Sequence, residues 1–145
     1  MKFLIINGPN LNMLGIREPD IYGKQDFAYL LDLVGKTCTD NGIEYETFQS
    51  NHEGAIVDKI QEAYGRFDGI VINPAAYTHT SVAILDALKT VGIPTAEVHI
   101  SDISTREEFR KFSYVSLAAV FTIAGHGLDG YCEAIVRLKE YIESK

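Results

Sequence analysis

Five short apolar runs punctuate the chain, and a helical period follows most of them. The runs read "KFLIIN", "IEYETFQ", "GIVIN", "TAEVHI" and "AAVFTI". Continuous apolar runs of this length, set between amphipathic helical stretches, describe a parallel sheet buried on both faces by helices. The second run is the most polar, which places it nearer an edge. Between the runs, Asp26 can cap a helix whose inner face is Phe27, Leu30, Leu31, Val34 and Cys38 and which ends at Asn41-Gly42. Ile56, Ile60 and Ala63 mark the next helix, "VAILDALKTVG" a third, and Tyr131, Ile135, Leu138 and Ile142 the last. A short helix is expected near "TREEF". With 145 residues, one domain spanning 1–145 and one flavodoxin-like, doubly wound α/β sheet of five strands is the expectation.

In such sheets ligands bind outside the carboxyl ends of the strands. All four histidines, His52, His79, His99 and His126, fall at or just past the end of an expected strand, as do Asn7, Asn10 and Asn73. One histidine there is usually a satisfied loop residue; several polar groups converging on one edge point to a site. "GPNLNMLGIREPDIYG" is long for a connection from strand to helix, and long ordered loops are usually functional or lids. It contains Arg17 and Tyr22, five residues apart. An arginine beside a tyrosine favours the phenolate, lowering a pKa normally near ~10 and creating an oxygen base.

"AEVHIS" sets Glu97 and His99 two residues apart on a strand, with both side chains on one face. A carboxylate there orients the imidazole and favours its protonated form, which suits proton donation. "STREEFRK" carries Arg106 and Arg110 four apart. They either pair with Glu107 or Glu108 on a solvated face, or one grips a substrate carboxylate with its planar fork.

Composition narrows the chemistry. The net charge of −7 disfavours nucleic-acid and anionic-membrane partners, both of which need a basic footprint. Cys38 and Cys132 alone suit a reducing compartment with buried thiols, so the expected location is cytoplasmic. Lysines lie mostly in helices or at the termini, which leaves a Schiff-base mechanism little to build on. No HExxH or CxxC motif occurs, and no metal is expected.

One motif points elsewhere. "IAGHGLDGY" places Gly125, Gly127 and Gly130 at the G-x-G-x-x-G spacing of a dinucleotide site. That fingerprint belongs to an early strand-to-helix turn, with an acid about 20 positions on to bind ribose. Only a helix follows Gly130, so a tight turn and close helix packing beside the site are the better reading. A flavodoxin-like module for a nucleotide or FMN is the alternative that the fold and glycines allow.

Taken together, "NGPNLNMLGIREPDIYG", "NPAAYTHTSVAILDAL", "EVHISD", "REEFR" and "AGHGLDGY" resemble the type II 3-dehydroquinate dehydratases over the whole chain. The resemblance implies a cofactor-free enzyme of the shikimate pathway that converts 3-dehydroquinate to 3-dehydroshikimate and water, assembled as a homododecamer built from trimers. It implies Tyr22 as the proton-abstracting base with Arg17 as its partner, and His99 as general acid oriented by Glu97. Asn10 would hold a water near the developing enolate. Asn73, His79 and Arg110 would contact substrate, as would the backbone at Ile100 and Ser101, and Asp86 would reach across a subunit interface. The chain departs from the family pattern at Ala55, Ala75, Asp102, Phe112 and His126, where Glu, Gly, Asn, His and an apolar residue are usual. Of these, Asp102 bears on affinity, because it adds negative charge near the turn expected to hold a carboxylate.

Overall fold

The computed structural model describes residues 1–16 and 25–145. Arg17 and Tyr22 lie outside the described residues. Among the described residues the strands are β1 (Lys2–Asn7), β2 (Glu44–Gln49), β3 (Gly69–Asn73), β4 (Thr95–His99) and β5 (Phe121–Ala124), joined by four α-helices: α1 (Phe27–Asp40), α2 (Glu53–Glu62), α3 (Val82–Val91) and α4 (Asp129–Glu143). All pairings are parallel and the order is β2-β1-β3-β4-β5. This is the flavodoxin-like doubly wound arrangement, with the reversal of winding between β1 and β3. The polar second strand is the edge β2, as its composition requires.

Strand alternation splits the core into two halves. Phe3 and Ile5 of β1, Val71 of β3, and Ala96 and Val98 of β4 face one way, against Leu30, Val34 and Cys38 of α1 and Tyr131, Ile135 and Leu138 of α4. Leu4, Ile6, Ile70 and Ile72 face the other way, against Ile56 and Ile60 of α2 and Ile84 and Leu88 of α3. Burial of both faces explains why β1, β3 and β4 read as continuous apolar runs. Helix α1 starts where expected, with Asp26 Oδ1 accepting from Tyr29 N at 2.9 Å. It stops at Asn41, followed by Gly42 at φ +68°.

Two expectations are corrected. The crossover from β4 to β5 contains no α-helix; it runs through 3-10 turns at Ile103–Thr105, Glu108–Arg110 and Val115–Leu117. Extended backbone at Arg106 separates the first two turns, so Arg106 and Arg110 do not share a helix face. Asp102 and Ser104 favour this outcome, because the Asp102 carboxylate takes the Ser104 amide and hydroxyl in a local turn. Of the two thiols, only Cys38 is buried; Cys132 is half-exposed and accepts from Thr37 Oγ1. Burial first, and then the neighbouring Cys132, pushes the Cys38 thiol up to about 11.

Candidate active site

The carboxyl ends of β1, β3 and β4 open into one pocket. Its floor and walls come from three loops: Pro9 to Gly15 after β1, Asn73 to His79 after β3, and His99 to Arg110 after β4. Of the residues singled out in the sequence, Asn10, Asn73, His79, His99, Ile100, Ser101 and Arg110 all line it, and so does Arg106. Glu97 stands behind His99. Asp86 is exposed on α3 and is not part of the pocket wall within one chain.

Close approach of the first two loops depends on Gly8. Its amide donates to Asn73 O at 2.8 Å, and a Cβ at this position would meet Pro74 O at 2.5 Å. Asn10 follows in left-handed backbone at φ +70°, which asparagine tolerates, and its amide donates to Asn51 Oδ1. Across the mouth, Ala75 also has left-handed backbone, φ +53°. Here the departure from the usual glycine carries strain.

Glu97 and His99 sit on the α2–α3 side of β4, both buried. His99 Nε2 lies 2.5 Å from Glu97 Oε2, Ser113 Oγ donates to the same oxygen at 2.5 Å, and Thr122 Oγ1 donates to Oε1 at 2.9 Å. Burial pushes the Glu97 pKa up. The hydrogen bonds and charge of His99, with the Ser113 and Thr122 bonds, outweigh that and hold the carboxyl below its usual range. The protons can be assigned. Ser116 N donates into Ser113 Oγ at 3.1 Å, so the Ser113 proton goes to Glu97, and an ionised Glu97 takes the Nε2 proton of His99. Nδ1 of His99 is left as the ring atom not committed to Glu97. His79 is fixed as well: Nδ1 donates to the Phe112 carbonyl at 2.8 Å, leaving Nε2 as the ring nitrogen not committed to that bond. A backbone carbonyl serves here, so phenylalanine at 112 leaves this bond intact.

Positive charge gathers at the β4 side of the mouth. Arg106 Nη1 donates to Ser101 Oγ at 3.0 Å. Arg110 Nε lies 2.7 Å from Glu107 Oε2, close enough for an ion pair but not aligned for a hydrogen bond. Two guanidinium groups, that of Arg110 shared with Glu107, give this acidic chain a local site for a carboxylate. Asp102 does not offset them, because it is exposed, does not line the pocket, and spends its carboxylate on Ser104. No lysine lines the pocket among the described residues.

The glycine turn has a structural role. Gly125 (φ +82°) and Gly127 (φ +62°) direct their amides to His99 O and Ile100 O. Those two amides are therefore unavailable to cradle a phosphate, and the turn braces the backbone of the β4 loop instead. At the same place His126, in a position usually apolar, pairs with Glu133 on the exposed side of α4.

Ser113, Thr122 and Tyr131 escape a reading of the sequence as site residues. Thr122 had a signal, since it pairs directly with Glu97 across β4 and β5. Tyr131 reads as one more apolar position on the inner face of α4, yet its hydroxyl joins Asn7 and Asn73.

Comparison with known proteins follows the same lines. Residues 1–139 match the family model for dehydroquinase class II. A 3-dehydroquinate dehydratase of Clostridium perfringens (strain SM101 / Type A) is 52% identical, and the match covers 100% of both chains. One from Lachnoclostridium phytofermentans is 56% identical over 93% of this chain and 94% of its own. The crystal structure of type II dehydroquinase from Butyrivibrio crossotus superposes with a TM-score of 0.92 at 55% identity, covering 96% of this chain and 97% of that one. The chain belongs to the class II dehydroquinase family.

Proposed function

We propose that the chain catalyses the dehydration of 3-dehydroquinate to 3-dehydroshikimate, acting as a carbon–oxygen hydro-lyase without a cofactor. One observation carries the reading: the buried His99–Glu97 pair opens on a pocket ringed by Arg106, Arg110 and His79. It occurs in a chain half-identical, end to end, to proteins named for this reaction.

A base removes a proton from the carbon next to the substrate ketone, leaving an enolate. Tyr22, with Arg17 favouring its phenolate, is the base in this reading. The enolate oxygen is held by oriented hydrogen bonds, with a water on Asn10 among them. As the enolate collapses to the enone, the carbon–oxygen bond breaks, and the departing hydroxyl takes the proton of His99 and leaves as water. Glu97 stabilises the protonated imidazole while it waits. Arg110 and the Ile100–Ser101 backbone hold the substrate carboxylate, and Asn73 and His79 hold hydroxyls. Asp86 completes the site from a neighbouring copy in a homo-oligomer, which we place at twelve subunits built from trimers. The cytoplasm is the compartment this chemistry suits; no helix among the described residues is long and apolar enough to cross a membrane.

The test is direct. Purified protein mixed with 3-dehydroquinate should develop the absorbance of a conjugated enone, with no added metal or nucleotide. Absence of that signal from folded protein, or a bound flavin spectrum in its place, would overturn the reading.

A further inference from the structure

A buried polar relay connects the pocket to the interior of α4. Tyr131 is fully buried, its ring packed between α4 and the sheet. Its hydroxyl donates to Asn7 Oδ1 at 2.6 Å and receives Asn73 Nδ2 at 3.0 Å. Asn73 Oδ1 in turn receives Ala75 N at 3.1 Å. Asn7 and Asn73 end the neighbouring strands β1 and β3 in register with each other. Their side chains thus meet on the same face of the sheet, beneath α4.

The direction of every proton in this relay is set by its first member. A backbone N–H can only donate, so the Asn73 oxygen must face Ala75 and its amino group must face Tyr131. The phenol, receiving that N–H, gives its own single proton to Asn7 Oδ1. Burial pushes the Tyr131 pKa well up, so the phenol keeps its proton and stays a donor. At the far end, Asn7 Nδ2 is buried without a partner among the described residues. The relay uses one N–H and one lone pair of Asn73. The second N–H and second lone pair of the amide remain, on a residue that lines the pocket.

We propose that Tyr131 is a positioning residue that anchors the Asn73 amide, in the orientation Ala75 N–H sets, for contact with substrate, through the directed relay Ala75 N–H, Asn73, Tyr131, Asn7. A swinging Asn73 would lose the fixed position of its remaining donor and acceptor at the pocket wall, and with it the geometry of a hydrogen bond to a substrate hydroxyl. The inference rests on Asn73 contacting the substrate, and the experiment separates the two ideas.

Steady-state kinetics with 3-dehydroquinate would be measured on wild type, Tyr131→Phe, Asn73→Ala and the double variant. Tyr131→Phe keeps the ring and should raise KM roughly tenfold, the scale of one hydrogen bond, while kcat stays within about threefold. In the Asn73→Ala background the same change should move KM by less than about twofold, since the positioned group is gone. If Tyr131→Phe does not fold, Asn7→Ala interrupts the relay from its other end, and the same cycle is run with it. A KM within twofold of wild type for the relay variant, or an equal effect in both backgrounds, would overturn the relay. A wild-type KM for Asn73→Ala would instead remove the substrate contact at Asn73, and the relay's purpose with it.

Discussion

Ionised Glu97 is the residue on which the chemistry of the β4 edge turns. Its carboxylate is buried, and three hydrogen bonds hold its pKa below the usual carboxylate range. A depressed folded pKa stabilises the fold above the unfolded value and stops doing so as pH falls through the folded one. Ser113→Ala removes one of those bonds, so the folded pKa rises and protection is lost at a higher pH. We expect the acid-unfolding midpoint, and the acidic limb of kcat/KM, to move up by as much as about one pH unit. Acid titration of the variant followed by circular dichroism and by activity checks this, and an unchanged midpoint would show that Ser113 does not hold the charge. Glu97 and His99 were legible in the sequence because a two-residue spacing on a strand puts side chains on one face. Ser113 was not, since it reaches Glu97 from a loop 16 positions away and no local pattern encodes that contact.

At the scale of elements, apolar runs identified β1, β3 and β4, which are buried on both faces. Apolar periodicity identified the four α-helices among the described residues, each of which buries a stripe. The outer strands β2 and β5 are more exposed and were legible from their place between helices. Periodicity failed in the crossover from β4 to β5, where short 3-10 turns replace the helix expected around "TREEF". Side-chain bonds from Asp102 and Ser113 organise that segment in place of a buried stripe. This irregular cover is what brings Ser113 over Glu97 and both arginines to the pocket mouth. The turn after β3 carries a different irregularity. Ala75 opens the 3-10 turn Ala75–His79 with φ +53°, a conformation that costs an L-residue about 1–2 kcal/mol and glycine almost nothing. Glycine returns part of that by freeing the unfolded chain. Ala75→Gly should therefore gain about 0.5–1 kcal/mol and raise Tm by roughly 1–4 °C. Calorimetry decides, and a fall in Tm would mean that the turn is not strained at this residue.

The whole molecule is an acidic α/β sheet with Arg106 and Arg110 brought to one pocket, and with Asp86 acting from a neighbouring copy, as proposed, one chain alone does not complete its site. Asp86 is exposed on α3, and large apolar side chains at Val82, Phe109, Phe112 and Leu117 are also exposed. Sedimentation should accordingly find a large symmetric oligomer, and Asp86→Ala should raise KM or weaken assembly; a fully active monomer would contradict both. Assembly is the level least legible in the chain by itself, because an exposed acid and a solvated surface acid look alike until a neighbour is present. The central claim is that a tyrosine base and a histidine acid carry out the elimination, and kcat of Tyr22→Phe tests it most directly. With the ring retained and the oxygen gone, KM should be largely preserved while kcat falls at least ~100-fold, the low end for a positioned acid–base group. A kcat within about tenfold of wild type would contradict the account and assign the base to another residue.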